Sequence, residues 1–152
     1  IQFNKFDNVA LGENAICPFN SQNTTWFKEA FALLYLPSYC RFRMTDIWRS
    51  FIAQRILWTC GWTVLFHNST VRQERNDHSL MGYCKDEISG YTNNLEIMQT
   101  LNQLDLAPGV QAIPSNLRKC YQALVHKAFI GPEELPLVEA WLHDLETLGH
   151  PG

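Results

Sequence analysis

The sequence has no long hydrophobic run, so it offers no segment suited to crossing a membrane as a helix. Its longest uninterrupted apolar run covers residues 30–36, whereas a membrane-spanning helix needs roughly 20 apolar residues. The chain begins with isoleucine, and no signal peptide is recognisable near its start. We therefore interpret the 152 residues as a piece of a longer polypeptide and expect any membrane anchor only outside this chain.

Several motifs that would identify an enzyme class are also missing. The five cysteines show no Cys-x-x-Cys spacing, which argues against a zinc site, and their odd number does not fit a closed disulfide framework. The chain has no glycine-rich dinucleotide motif, no P-loop and no nucleophile elbow. It also contains no Asp-x-Asp pair, which nucleotide-sugar enzymes commonly use to bind a metal ion.

Positive charge is concentrated in one part of an otherwise acidic chain. The net charge is −3, yet residues 41–75 contain six arginines against two acidic residues and so carry +4, while the rest carries −7. A local cationic patch favours a small anionic ligand over an extended nucleic-acid surface, so we predict no nucleic-acid partner. The alternative is that these arginines cap helices and pair with neighbouring acids.

Hydrophobic spacing and chain breakers predict a mixed α/β part over residues 1–78 and a helical C-terminal extension over 79–152, packed on it. The predicted elements are a short helix at 26–34, an extended piece at 38–44, a helix at 45–59, a strand at 62–66, one or two helices at 80–104 broken near Ser89-Gly90, and helices at 115–129 and 133–148. Thr45 is the expected N-cap of the 45–59 helix, and Gly61 is expected to end it.

Asp46 is the candidate catalytic residue. It lies in the first turn of the predicted 45–59 helix, between Arg43 and Arg49. An ionised carboxylate in a positive field can take a proton from a sugar hydroxyl or hold a metal ion, while arginines bind phosphate. Arg41 and Arg43 are expected to share one face of the extended piece. The alternative is a helix-start acid that simply pairs with Arg49, three residues on.

Polar segments supply further candidates. Residues 20–24 and 73–78 are polar throughout, and amide side chains read sugar hydroxyls well because they both donate and accept hydrogen bonds. From these segments the predicted substrate-binding residues are Asn20, Gln22, Asn23 and Arg75. His67, after the predicted strand, is a candidate ligand of a metal or a phosphate. The alternatives are amides that stabilise turns, a loop that satisfies its own backbone, and a surface histidine.

Four blocks carry a resemblance to a known family. They read CPFNSQNT at 17–24, FALLYLP at 31–37, RMTDIWRSFIAQR at 43–55 and VRQERNDH at 71–78. With these blocks the sequence resembles the C-terminal part of the STELLO-type glycosyltransferases, and the third block is the most specific. The resemblance implies the acceptor half of an A-type glycosyltransferase-like fold with a few short strands, followed by a mainly helical C-terminal tail.

The resemblance also implies a function. It implies transfer of a sugar from a nucleotide-sugar donor to a glycan or other acceptor, with a divalent metal (Mn²⁺ or Mg²⁺) whose main ligands lie outside this chain. Asp46 would match the acid that such enzymes often keep at a helix start, and His67 a residue that contacts metal or diphosphate. Without the nucleotide-binding half, we expect this piece to be inactive alone.

The implied location is the lumen of the Golgi or another secretory compartment, with a membrane-anchored parent. Two N-glycosylation triplets, at 23–25 and 68–70, fit that location. Two other functions remain open from the residues. One is a non-catalytic interaction module of the secretory pathway, built on a degenerate glycosyltransferase fold. The other is an anion-binding regulatory domain, which the arginine cluster suggests.

Overall fold

The computed structural model describes residues 8–72, 74 and 80–149, with the backbone alone for 80–86. The described elements, in chain order, are β1 (Val9–Ala10), a first 3-10 helix (Lys28–Leu34), a second 3-10 helix (Phe42–Met44), α1 (Thr45–Thr59), β2 (Leu65–Phe66), α2 (Leu80–Asn102), a third 3-10 helix (Val110–Ala112), α3 (Ile113–His126) and α4 (Glu134–Thr147). None of the described helices is long and apolar enough to cross a membrane.

The described part of the chain is mostly helical, with one small sheet. Strands β1 and β2 pair antiparallel, with Val9 opposite Phe66 and Ala10 opposite Leu65. Strand β2 covers only the end of the predicted 62–66 strand, and the Leu11 N–H also donates to the Val64 carbonyl at 2.9 Å. This arrangement is compatible with part of a glycosyltransferase domain. The A-type glycosyltransferase-like fold itself stays a prediction, because the sheet of the described ranges has only two short antiparallel strands.

The predicted extended piece at 38–44 is wrong. The chain bends there and then forms the second 3-10 helix, Phe42–Met44. The backbone N–H groups of Ser38 and Tyr39 donate to the carboxylate of Glu134, at 2.9 and 2.7 Å. Because that partner lies some 95 residues away along the chain, no local pattern could have indicated the bend.

Helix α1 is confirmed at its predicted bounds, and it runs through the centre of the molecule. Thr45 is its first residue and not its N-cap; the Thr45 hydroxyl donates to the carbonyl of Phe42 at 2.9 Å. Gly61, with φ of +72°, follows the helix end and lets the chain reverse, as glycine does after many helices. Trp48 and Ile56 are almost fully buried in the core, so α1 is a core helix.

One hydrophobic core joins the helices that surround α1. Helix α1 contacts α2, α3 and the first 3-10 helix, and α4 packs on α3. Side chains on both sides of residue 78 contribute to this core, among them Leu33, Phe51, Tyr121 and Leu142. The predicted boundary between parts at 78 and 79 stays a prediction.

Helix α2 continues through Ser89-Gly90, where a break was predicted. Gly90 serves close packing instead, because a Cβ at this position would lie only 2.5 Å from the sulfur of Met44. Arg55 of α1 caps the far end of the helix, where its guanidinium donates to the carbonyls of Leu101 and Leu104 at 3.1 and 2.8 Å. A cation at a helix C-terminus satisfies carbonyls that have no partner within the helix.

Two cysteine thiols, one buried and one half-buried, make the stability of the chain fall at alkaline pH. Burial raises the pKa of Cys120 from 9.0 to about 12, and burial together with the charge of Glu134 raises the pKa of Cys40 to about 12. In the unfolded chain these thiols ionise near their ordinary pKa, while in the folded chain they stay protonated. The stabilising contribution of these two thiols is therefore fully present below pH 9, and it is lost as the pH rises from 9 toward 12.

We expect the unfolding free energy to fall between pH 9 and 10, by up to about 1.4 kcal/mol per pH unit for a fully buried thiol. Denaturant melts at pH 7, 9 and 10 measure this. Cys120→Ala should be less stable at pH 7 but should lose less between pH 9 and 10. An identical alkaline loss in that variant would show that Cys120 does not contribute.

Candidate functional site

The polar side of α1 binds residues 17–21, a segment that belongs to no helix or strand. The Gln54 amide pairs in both directions with Cys17: it accepts from the Cys17 N–H at 3.1 Å and donates to the Cys17 carbonyl at 3.0 Å. The Ser50 hydroxyl accepts from the Phe19 N–H at 3.3 Å. Asp46 is the third member of this row, since it accepts from the Ser21 N–H. Three successive turns of the helix thus bind alternate residues of the segment.

The two spacings match in length. Four residues of α-helix rise about 6 Å, and two residues of extended chain rise about 6.6 Å. An acid, a serine and a glutamine spaced four residues apart at 46, 50 and 54 therefore meet residues 21, 19 and 17 in turn. This match explains why the third sequence block contains these polar residues inside a buried helix.

Asp46 is half-buried at the N-terminal end of this row. Its Oδ2 accepts a hydrogen bond from the Ser21 N–H at 3.2 Å, while its Oδ1 has no hydrogen bond within the described ranges. The backbone thus holds the carboxylate in place and leaves one oxygen available. The catalytic role of Asp46 stays a prediction.

Arg49 is buried beneath the same segment, with only 2% of its surface exposed. Its guanidinium donates to the Ser21 hydroxyl at 2.8 Å and lies over the rings of Phe19 and Trp26, 5.5 and 4.9 Å from their centroids. Burial lowers the pKa of Arg49, and the negative charge of Asp46 opposes that shift. Cation–π contacts and this nearby charge stabilise a buried guanidinium. In this structure Arg49 joins the segment to the core.

Among the described arginines, Arg43 contacts α2 and not this row. Arg43 does not share a strand face with Arg41, because the second 3-10 helix replaces the predicted extended piece. The Arg43 guanidinium lies 3.4 Å from the Glu87 carboxylate, and both side chains are about one-third exposed. Arg75 lies outside the described residues.

A groove of about 1150 Å³ opens beside residues 17–21. Its walls come from residues 18–20, 23–27, 29 and 30, from Ile47 and Leu57 of α1, and from residues 61–67. It brings together three of the predicted site residues, Asn20, Asn23 and His67, which are far apart in sequence. The other described candidates are not among the residues that line the groove; they are Gln22, Arg43, Asp46 and Arg49.

The amides near the groove are partly engaged in local structure. Asn20 accepts from the Gln22 N–H at 3.2 Å and donates to the Gln22 side chain at 3.4 Å, so this pair stabilises a turn. The Asn23 side-chain oxygen accepts from the Thr70 hydroxyl at 3.2 Å, which ties the groove wall to the chain beyond β2. The substrate-binding role of these amides stays a prediction.

His67 lies at the other rim of the groove and is exposed. Its Nδ1 lies 2.7 Å from the carbonyl of Asn68. If that nitrogen carries the proton, Nε2 is the free acceptor. Over the part of the chain that the structure describes, no group of three or more metal-ligating side chains comes together. The metal-ligand role of His67 therefore stays a prediction.

Comparison with known proteins supports the resemblance seen in the sequence blocks. A family model described as STELLO glycosyltransferases matches residues 43–151. The chain belongs to the STELLO glycosyltransferase family. Two curated Arabidopsis thaliana proteins are similar: probable glycosyltransferase STELLO2, 26% identical over 149 residues, and probable glycosyltransferase STELLO1, 27% identical over 149 residues.

Each STELLO alignment covers 93% of this chain but only 18% of the relative. The chain therefore spans less than a fifth of the length of the curated relatives that it matches. The family match includes the whole of α1, and with it the row at Asp46, Ser50 and Gln54, but it begins after residues 17–21.

Sequence reasoning missed Ser50 and Gln54 as the residues that hold the groove wall. The signal was present, since a buried helix that carries polar residues every four positions needs polar partners along the same line. The partners could not be identified from sequence, because the segment at 17–21 has no regular pattern of its own.

Proposed function

We propose that this STELLO-family chain forms the acceptor-side portion of a glycosyltransferase, which moves a sugar from a nucleotide-sugar donor to a glycan or other acceptor. The supporting observation is the groove beside residues 17–21, held in place by polar residues of the family-matched helix α1. Its wall combines aromatic rings with amide and hydroxyl groups, the mixture that suits a polyhydroxylated ligand.

The donor diphosphate and its divalent metal, Mn²⁺ or Mg²⁺, are assigned in this proposal to parts of the parent protein outside this chain. The described residues bring no cluster of metal ligands together, and the groove lining contains neither lysine nor arginine. The parent is proposed to be a membrane-anchored protein whose domain faces the lumen of the Golgi or another secretory compartment.

Asp46 is the proposed catalytic residue, as the base toward the acceptor hydroxyl. Its Oδ2 is fixed by Ser21, and its Oδ1 has no hydrogen bond within the described ranges. Its neighbour Ile47 lines the groove. Although Asp46 itself does not line the groove, its carboxylate would take the proton of an acceptor hydroxyl that reaches it, as that oxygen bonds to the anomeric carbon of the donor and the nucleoside diphosphate leaves.

Asp46→Asn in the full-length protein tests this proposal. The amide keeps an acceptor oxygen for the Ser21 N–H but removes the basic carboxylate, so we expect kcat to fall by about 10²–10⁴-fold. Tm should fall as well, because the charge beside the buried Arg49 guanidinium is lost, so kcat is compared at a temperature where both proteins are folded. Sugar transfer from the nucleotide-sugar donor measures kcat, and thermal unfolding measures Tm.

Asp105→Asn is the matched control, because Asp105 is exposed and its carboxylate has no hydrogen bond in the described ranges. It should retain full activity. A folded Asp46→Asn protein with transfer activity within a few-fold of wild type would remove Asp46 from the mechanism. A wild-type protein that transfers no sugar from any nucleotide sugar would remove the proposed function itself.

A further inference from the structure

We infer that the groove beside residues 17–21 binds a neutral oligosaccharide, with the indole of Trp62 as the central contact. This inference rests on the proposed function and names the chemical class of the acceptor. Trp62 is partly buried and packs against the hydrophobic core, and it also lines the groove. Charge, ring exposure and unpaired polar groups each support it.

The charge of the groove favours a neutral ligand over a nucleotide diphosphate. The titratable residues among its lining are Glu29 and His67, with no lysine or arginine. The Arg49 guanidinium, which lies against the groove-lining rings of Phe19 and Trp26, is buried and donates to the Ser21 hydroxyl. Among the residues that line the groove, a diphosphate would therefore meet the Glu29 carboxylate and no lysine or arginine, which is unfavourable for an anion.

The aromatic rings of the groove provide surface for the apolar faces of sugar rings. Trp26 already carries the Arg49 guanidinium, 4.9 Å from its ring centroid. Phe27 is 77% exposed, and Trp62 is half-buried. The Trp62 indole N–H has no acceptor in the described ranges. Indole groups at binding surfaces typically combine apolar contact with one hydrogen bond, and a sugar hydroxyl supplies that acceptor.

The polar groups of the groove match hydroxyls. Thr25, Glu29 and Thr63 line the groove, and their side chains form no hydrogen bond within the described ranges. The side-chain N–H₂ of Asn23 likewise has no acceptor there. Hydroxyls donate and accept at once, so one sugar ring can pair with such a mixed set.

The size of the groove favours an oligosaccharide over a single sugar. Its volume of about 1150 Å³ exceeds the roughly 300–1,000 Å³ of sites that hold drug-sized ligands. The groove is also bounded by chain segments that run from residue 18 to residue 30 and from 61 to 67. A short glycan chain would contact both walls at once.

Calorimetric titration of the 152-residue chain with a panel of neutral tetrasaccharides tests the inference; β-1,4-glucan, β-1,4-mannan and α-1,4-glucan fragments form a suitable panel. We expect at least one of them to bind saturably, and Trp62→Ala to weaken that binding by roughly tenfold or more. Trp62→Phe keeps an aromatic ring and should retain part of the affinity. UDP should neither bind in the groove nor compete with the saccharide.

Phe42→Ala is the matched control, because Phe42 is 88% exposed and lies outside the groove lining. Its saccharide affinity should equal that of wild type, and circular dichroism checks that each variant is folded. Absence of saturable binding by any tetrasaccharide up to 10 mM, or equal affinity in wild type and folded Trp62→Phe and Trp62→Ala proteins, would overturn the inference.

These outcomes are separable from those of the proposed function. Sugar transfer by the full-length protein without saccharide binding in the groove would overturn this inference alone. Saccharide binding that depends on Trp62, in a full-length protein that transfers no sugar, would overturn the proposed function and leave the binding site.

Discussion

Glu134→Gln is expected to lower the unfolding free energy by about 3 kcal/mol or more, which corresponds to a fall in Tm of roughly 6–12 °C for a chain of this size. Glu134 is fully buried at the start of α4. Its carboxylate accepts hydrogen bonds from the Tyr35 hydroxyl and from the backbone N–H groups of Ser38 and Tyr39. The acid thus joins α4 to a bend almost a hundred residues earlier.

The expected loss follows from the chemistry of the two side chains. A carboxylate presents only acceptors, whereas the amide of glutamine replaces one acceptor oxygen with two N–H donors. Those donors would face the backbone N–H groups of the bend, and at least one buried donor would lose its partner. A hydrogen bond to a charged group contributes about 1.5–3 kcal/mol, so losing more than one exceeds the effect of an ordinary surface substitution.

Glu133→Gln is the control, since Glu133 is the preceding residue and is exposed. Its Tm should stay within about 2 °C of wild type. Tyr35→Phe removes one of the three donors while leaving the carboxylate, so its loss of stability should be smaller than that of Glu134→Gln. Equal thermal stability of the Glu134 and Glu133 variants would show that the buried carboxylate is not needed to hold the bend.

The same bend shows where sequence-based prediction of this fold stops. Helix α1 was predicted at its observed bounds because its start, its apolar residues and the glycine at 61 are all local signals. The region 38–44 was predicted wrongly, because its conformation depends on Glu134. The break predicted at Gly90 is wrong for a related reason. The absence of a side chain there makes room for Met44, a residue of another element, and the local sequence does not show this.

The candidate site, like the fold, was predictable only in part from the sequence. Polar composition selected Asn20 and Asn23, a position after the predicted strand selected His67, and the structure places all three on one groove. Their functional role was not tested by that placement. The arginines were harder to interpret, because a sequence shows where positive charge is concentrated but not whether it faces a ligand or stabilises the fold. Here Arg49 is buried against aromatic rings and Arg55 caps a helix.

The row that holds the groove wall gives the second large expected effect. Gln54 is 1% exposed and binds both the N–H and the carbonyl of Cys17, as well as the carbonyl of Ser50. Gln54→Leu is close in volume but leaves the Cys17 backbone groups without partners, so we expect the unfolding free energy to fall by about 2–4 kcal/mol. Denaturant unfolding measures this loss.

The loss of stability in Gln54→Leu should appear first as local opening of residues 17–21, at denaturant concentrations below those that unfold the whole chain. With Gln54 replaced, residues 17–21 keep the bonds from Ser50, Asp46 and Arg49, but Cys17 loses both of its bonds to the helix, so amide hydrogen exchange at Cys17 and Phe19 should accelerate far more than exchange within α1. Gln122→Leu, at an exposed position of α3, is the control and should change neither measurement. Unchanged protection of the Cys17 amide would show that Gln54 does not hold the segment.

If Gln54→Leu does not fold, Ser50→Ala provides a milder test of the same row. The Ser50 hydroxyl accepts from Phe19 and donates to the carbonyl of Ile47 at 2.6 Å, so its removal frees one backbone N–H of the segment and leaves Gln54 in place. We expect faster exchange at Phe19 and weaker saccharide binding in the groove, because the segment forms one of its walls. These results would show that the sequence blocks at 17–24 and 43–55 act together. Polar side chains of the second block, in α1, bind the backbone of the first block and so shape the groove.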